Sequence, residues 1–249
     1  MPLQYHAAQI EVQEEANTRP VAEKLAYWVG PVQEFAATAD LIVLAAVDTG
    51  DQLRFSTICG RAPLVEASGA TELRFPDPGP AFVGDEVLAG GLAVNLAQRR
   101  RARINGLLRR EGAECVLEPM EAFVNCRKYI APSVALEQRL HVGPSDSSTI
   151  ALDDPWLAGL LDGAETAFLA SVAPDGQPDV SHRGGPPGFL SLDVANGCVS
   201  WPEFVGDGMF KSAGNVRGTS QASLLVLDLA SGDAAELRGT ATYRTRRTA

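Results

Sequence analysis

Apolar runs of strand length, broken by short polar turns, recur along this chain, and few stretches carry the spacing of an amphipathic helix. LIVLAAV at 41–47 precedes the polar turn Asp48-Thr49-Gly50-Asp51 and then LRFSTICG, which reads as strand, turn, strand. After a Gly/Pro-rich stretch come a short strand ELRFP at 72–76 and the run GLAVNLAQRRRARINGLLRR, two strands around a polar turn, followed by ECVLEP and EAFVNCRKYI. Helical signals are short. Residues 5–28 are rich in Ala, Glu and Gln, with a break near Thr18-Arg19-Pro20. PVQEFAATA places Pro31 in a favoured first-turn position.

From Asp153 the same order returns. DDPWLAGLLDG is a capped short helix, Asp154 standing before Pro155 at the first helical position. TAFLASV, the turn Pro174-Asp175-Gly176 and QPDVSHRGG follow, then CVSWP, the segment FVGDGMFKSAGN and ASLLVLDLASGDAAELRGTATYR. PVQEFAATA matches PWLAGLLDG, LRFP matches VSWP, Gly84-Asp85 matches Gly206-Asp207, and RINGLL matches ELRGTA. Matched elements in one order argue for a duplicated small β-barrel, each unit closing or nearly closing its sheet. The expected organisation is an N-terminal helical segment (1–30), a first unit (31–130), a linker rich in Ser, Pro and Asp (131–152) and a second unit (153–249).

Composition narrows the function. The 249 residues are 45% hydrophobic and 21% charged, as in soluble globular proteins, and the net charge of −10 argues against non-specific nucleic-acid binding. The basic run Arg99-Arg100-Arg101 with Arg103 reads as a solvated strand or turn, with an anion or partner contact as the alternative. The longest apolar stretch, Leu41–Val47, is too short to span a membrane, and the polar N-terminus lacks a signal-peptide pattern. Cys59, Cys115, Cys126 and Cys198 form no Cys-x-x-Cys pair and suit reduced thiols in a cytoplasmic protein. Dinucleotide, phosphate-loop and nucleophile-elbow motifs do not occur, and His6, His141 and His182 lack paired spacing, so no metal is expected. Ser181 and His182, adjacent on a strand, point to opposite faces and make a poor catalytic pair.

The informative chemistry lies in the second half. DVSHRGGPPGF puts Arg183 at a strand end, where it must find water or an anion, before glycines that let backbone come close to a ligand. Met209-Phe210-Lys211-Ser212-Ala213-Gly214-Asn215 adds a cation, a hydroxyl and an amide. A forked donor (Arg183) and a point charge (Lys211) are what a phosphate dianion needs; the alternative is a solvated arginine and a surface lysine.

DVSHRGGPPGF, the WP strand, the Phe-Lys-Ser…Asn segment and the run Asn125 to Ile130 together resemble the pyridoxamine 5′-phosphate oxidase-like flavoproteins, in their tandem branch. The resemblance covers most of 31–245 and is most specific at 179–189 and 125–130. It implies a mainly β chain with short helices, two tandem split β-barrels forming a pseudo-dimer, with FMN between them. Arg183, Lys211 and Ser212 would hold the FMN phosphate. Ser181, Trp201, Pro202, Phe210 and Asn215 would line the cofactor, and Asn125, Lys128 and Tyr129 would approach from the first half. The implied activity is an FMN-dependent oxidoreductase acting on a small organic substrate, with Tyr129, Lys128 and His182 for proton transfer or substrate orientation. A deazaflavin- or haem-binding enzyme and a non-catalytic flavin-binding module are the competing readings. Arg127 stands where relatives often have proline. The internal alignment sets Arg183 against Ile58 and Lys211 against Ala89, so one FMN per chain is expected, in a pseudo-dimeric monomer or a homodimer.

Overall fold

The computed structural model describes residues 2–25, 29–68, 71–77, 84–131, 148–204, 206–229 and 231–245. The chain opens with α1 (Ala7–Glu15) and α2 (Arg19–Ala22), separated where the sequence predicts a break, and then α3 (Val29–Ala36). The first half continues with β1 (Leu41–Val47), β2 (Leu53–Cys59), β3 (Glu66–Ser68), β4 (Glu72–Pro76), β5 (Glu86–Asn95), β6 (Arg100–Glu111) and β7 (Glu114–Val124). The second half holds α4 (Pro155–Gly163), β8 (Thr166–Val172), β9 (Pro178–Gly184), β10 (Ser191–Asp193), β11 (Cys198–Ser200), α5 (Lys211–Thr219), β12 (Gln221–Leu227) and β13 (Ala234–Thr240). The expected linker falls largely on 132–147, and His141 with it, outside the described residues.

Side-chain alternation along two strands sets the layers. β1 sends Leu41, Val43 and Ala45 into one core and Ile42, Leu44 and Ala46 into another, because neighbours on a strand face opposite ways. The second of these cores lies under α3, which contributes Val32, Phe35 and Ala36. β8 does the same: Phe168, Ala170 and Val172 meet the β1 face, while Ala167 and Leu169 pack on Leu157, Leu160 and Leu161 of α4. The two halves therefore share a core, and each fully buried Leu, Val or Phe in it contributes about 1.5–3 kcal/mol. Gly90 permits the approach, since a Cβ there would lie 2.7 Å from the Asp179 backbone nitrogen. Asp154 caps α4, accepting from the Trp156 amide at 2.8 Å, with Pro155 at the first helical position as the sequence predicts.

The larger sheet has the order β2-β1-β5-β6-β7-β4-β3 and the smaller β13-β12-β8-β9; β10 and β11 form a separate ribbon. All pairings are antiparallel, and neither sheet is closed into a barrel. Long β7 joins β6 to β4 in the first half, whereas among the described residues no strand joins β13 to the ribbon. Order β9-β8-β12-β13 nevertheless parallels β2-β1-β5-β6. The leading hairpins match in register, from Leu41↔Cys59 to Val47↔Leu53 and from Thr166↔Gly184 to Val172↔Pro178. Their turns match too: Asp48 donates to the Gln52 carbonyl and Ala173 to the Gln177 carbonyl, each at 2.9 Å.

This register supports setting Ile58 against Arg183, since they pair with Ile42 and Ala167. It corrects the other equivalence. Ala89 lies on β5, whose counterpart across β8 is β12, whereas Lys211 opens α5, a helix without a counterpart among the described residues of the first half. No helix is long and apolar enough to cross a membrane among the described residues. All four cysteines are free, and burial raises the thiol pKa of Cys59 and Cys115.

Candidate anion-binding pocket

A pocket of about 90 Å³ opens where four pieces meet: the end of β9, one face of β6, the segment after β7, and the entry to α5. On β6, Ala102 and Ile104 point into the core under α3. Arg101, Arg103 and Asn105 therefore point the other way, toward the second half. The expectation of a solvated basic run holds for exposed Arg99 but is overturned for Arg101 and Arg103, which are buried.

Arg103 is paired. Its Nη1 donates to Asp179 Oδ1 at 2.7 Å, and the same carboxylate accepts from Asn105 Nδ2 at 2.9 Å and Ser181 Oγ at 3.2 Å. Asn105 Nδ2 also reaches Glu121 Oε2 at 3.1 Å, and Glu121 Oε1 takes Lys211 Nζ at 2.7 Å. One buried polar chain thus ties β6, β7 and β9 to α5. Lys211 also donates to the Gln4 carbonyl and lies 5.2 Å above the Tyr5 ring. Burial, with Glu121 and Asp207 nearby, pushes the Tyr5 pKa up to about 12.

Arg183 is similarly engaged. Nε donates to Glu203 at 2.7 Å, Nη2 to Ser212 Oγ at 2.6 Å and Nη1 to the His182 carbonyl at 3.1 Å. Glu203 also accepts from Trp201 Nε1. Arg101 differs: its partners are the Lys128 carbonyl at 3.0 Å, His182 Nδ1 at 3.3 Å and the Cys126 sulfur at 3.7 Å, none of them a carboxylate. Burial, with Arg103 and Arg183 close by, lowers the Arg101 pKa. His182 is held well below its ordinary pKa by burial first and then by Arg101 and Arg183, so its ring is neutral near pH 7. A guanidinium only donates, so Nδ1 accepts and the proton sits on Nε2, a donor without an acceptor among the described residues.

The structure brings Asn125, Tyr129, Ser181, His182, Arg183, Pro202, Phe210, Lys211 and Ser212 to one pocket. Trp201, Asn215 and Lys128 stand apart from its wall. Trp201 packs on the α4 core. Asn215 is buried beneath α1, accepting from Gln9 Nε2 and His6 Nε2 at 2.9 Å and donating to Ser171 Oγ. Lys128 lies with Arg99 and Arg127 on a separate hollow, and only its carbonyl serves the site. Gly184 gives room to the chain itself: a Cβ there would overlap the Tyr129 carbonyl. Arg101 is the main residue that sequence reasoning missed. Its signal was the alternation Arg101-Ala102-Arg103-Ile104, which puts both arginines on one strand face.

No family model, curated protein or solved structure matches the chain.

Proposed function

We propose that the pocket binds FMN and that the chain is an FMN-dependent oxidoreductase acting on a small organic substrate. The observation that carries this reading is the donor set. Three arginines, a lysine, two serine hydroxyls and a neutral histidine converge on one small pocket at the start of α5, where backbone amides also favour an anion. The pocket volume of about 90 Å³ suits a phosphate group rather than a whole nucleotide, whole-ligand sites being on the order of 300–1,000 Å³. Tyr129 and Phe204, stacked at 5.2 Å and both partly exposed, line the same pocket and offer an apolar face to a planar ring.

In this reading Arg183, Arg101, Ser212 and the α5 entry hold the phosphate, Ser181 and Asn125 stand beside it, and Tyr129 is the side chain nearest the substrate. FMN supplies hydride chemistry through its ring. The matched hairpins support two units derived from one split barrel, arranged as a pseudo-dimer with one site per chain. A non-catalytic flavin-binding module is the second reading. It is favoured by the burial of His182 and the placement of Lys128 away from the pocket, which leave Tyr129 alone among the three groups named for proton transfer.

An absorbance spectrum and an FMN titration of wild type and Arg183→Ala test the proposal. One FMN per chain, with binding at least about tenfold weaker in the variant, supports it. No binding by wild type, or two FMN per chain, refutes it. A flavin-loaded protein that consumes neither oxygen nor nicotinamide with any substrate points to the module.

A further inference from the structure

We infer that Arg101, carried by the first half of the chain, is the seat of the ligand's negative charge and decides between phosphorylated and unphosphorylated ligands. For the organic part of the ligand this rests on the flavin reading; the charged part stands on the pocket alone.

Four cations line the pocket, and three are already matched by carboxylates, Arg103 by Asp179 at 2.7 Å. Arg183 is held by Glu203 at 2.7 Å and Lys211 by Glu121 at 2.7 Å. Arg101, only 8% exposed, has no carboxylate oxygen within 4.0 Å among the described residues. Its neighbour Asp207 attracts it across the pocket wall but makes no ion-pair contact with it, Oδ2 accepting from Asn125 and Oδ1 from the Met209 amide. Buried charges are ordinarily paired, because removal from water disfavours an isolated ion. An anion entering this pocket gains most from the cation that has no carboxylate in contact with it.

Two further donors stand with it. His182 receives Arg101 at Nδ1 and so carries its proton on Nε2, which has no acceptor among the described residues. Ser212 sits at the start of α5, a helix whose entry carries no side-chain cap. Arg101 reaches the pocket from β6, His182 from β9 and Ser212 from α5, so an oxyanion among them is held from three elements and both halves.

The test uses the full chain as wild type, Arg101→Gln, Arg101→Lys and Arg183→Gln. FMN and riboflavin binding are followed by flavin fluorescence, and inorganic phosphate binding by calorimetry. Wild type is expected to prefer FMN to riboflavin by about thirtyfold or more, and R101Q to bring the two within about threefold while riboflavin affinity stays the same. R101Q retaining the wild-type preference while R183Q loses it overturns the assignment. If R101Q does not fold, R101K decides: it keeps the charge but loses the forked donor, so the preference should fall about tenfold, and an unchanged preference overturns the inference. If wild type binds neither flavin, the flavin reading fails and phosphate decides alone. Saturable phosphate binding lost in R101Q upholds Arg101, and no phosphate binding by wild type overturns it.

Discussion

Replacing Asp179 with Asn removes one charge from the buried chain that ties the two halves together, at almost constant shape. Asp179 and Arg103 have side chains only 2% and 6% exposed, so water cannot take over the lost partner. Breaking such a pair costs about 3–5 kcal/mol, because a guanidinium is left buried without its counter-charge. The carboxylate also accepts from Asn105 and Ser181, and both bonds weaken. For a chain of this size the loss corresponds to a fall in Tm of roughly 6–20 °C. Arg74→Gln is the control: Arg74 meets Glu111 at 2.8 Å, but the side chains are 29% and 47% exposed, and the expected cost stays below about 1 kcal/mol. Urea unfolding of wild type, Asp179→Asn, Arg103→Gln and the double variant completes a cycle, with a coupling above about 1 kcal/mol expected. A cost below about 1 kcal/mol for Asp179→Asn, with no coupling, would show the pair to be solvated and refute the account of the junction.

His182 gives the fold a dependence on acid. Its folded pKa lies well below 6.5, so below pH 6.5 the unfolded chain takes up a proton that the folded chain refuses. Stability is full above pH 6.5 and falls by up to about 1.4 kcal/mol per pH unit below it, until the folded pKa is reached. Urea titrations at pH 7.5, 6.0 and 5.0 should show a shallower decline in His182→Gln; identical slopes contradict the assignment. Gly184→Ala drives a methyl into the Tyr129 carbonyl and the His182 ring, with an expected loss of about 1–3 kcal/mol and weaker FMN binding through the displaced Tyr129 loop. Wild-type stability in this variant, measured by thermal denaturation, contradicts the close approach.

The two leading hairpins were legible because each carries its own evidence: an apolar run, a polar turn and a second run within twenty residues. α4 was legible through Asp154 and Pro155. α5 was not. Lys211–Thr219 contains two glycines, and Lys211 to Val216 are all buried, so no polar face marks a helix. What holds it is distant: Gly214 lets the backbone of Gln9 in, so α1 lies against it. Arg103 was misread for the same reason, since its carboxylate lies 76 residues further on. Ser181, His182, Arg183, Lys211 and Ser212 line one pocket, but proximity in sequence could not show that Glu203 and Glu121 already hold two of the cations, or that Arg101 lies with them.

The matched halves carry different side chains at corresponding places. One has Arg183 at the end of its second strand and a helix before β12; the other has Ile58 at the corresponding position and supplies Arg101 from the face of β6 instead. On the proposed reading, selection on ligand affinity acts on both halves at once. A change at His182 would then be compensated most directly by one at Arg101, in the other half, and neither half could be exchanged for the other without dismantling the proposed site.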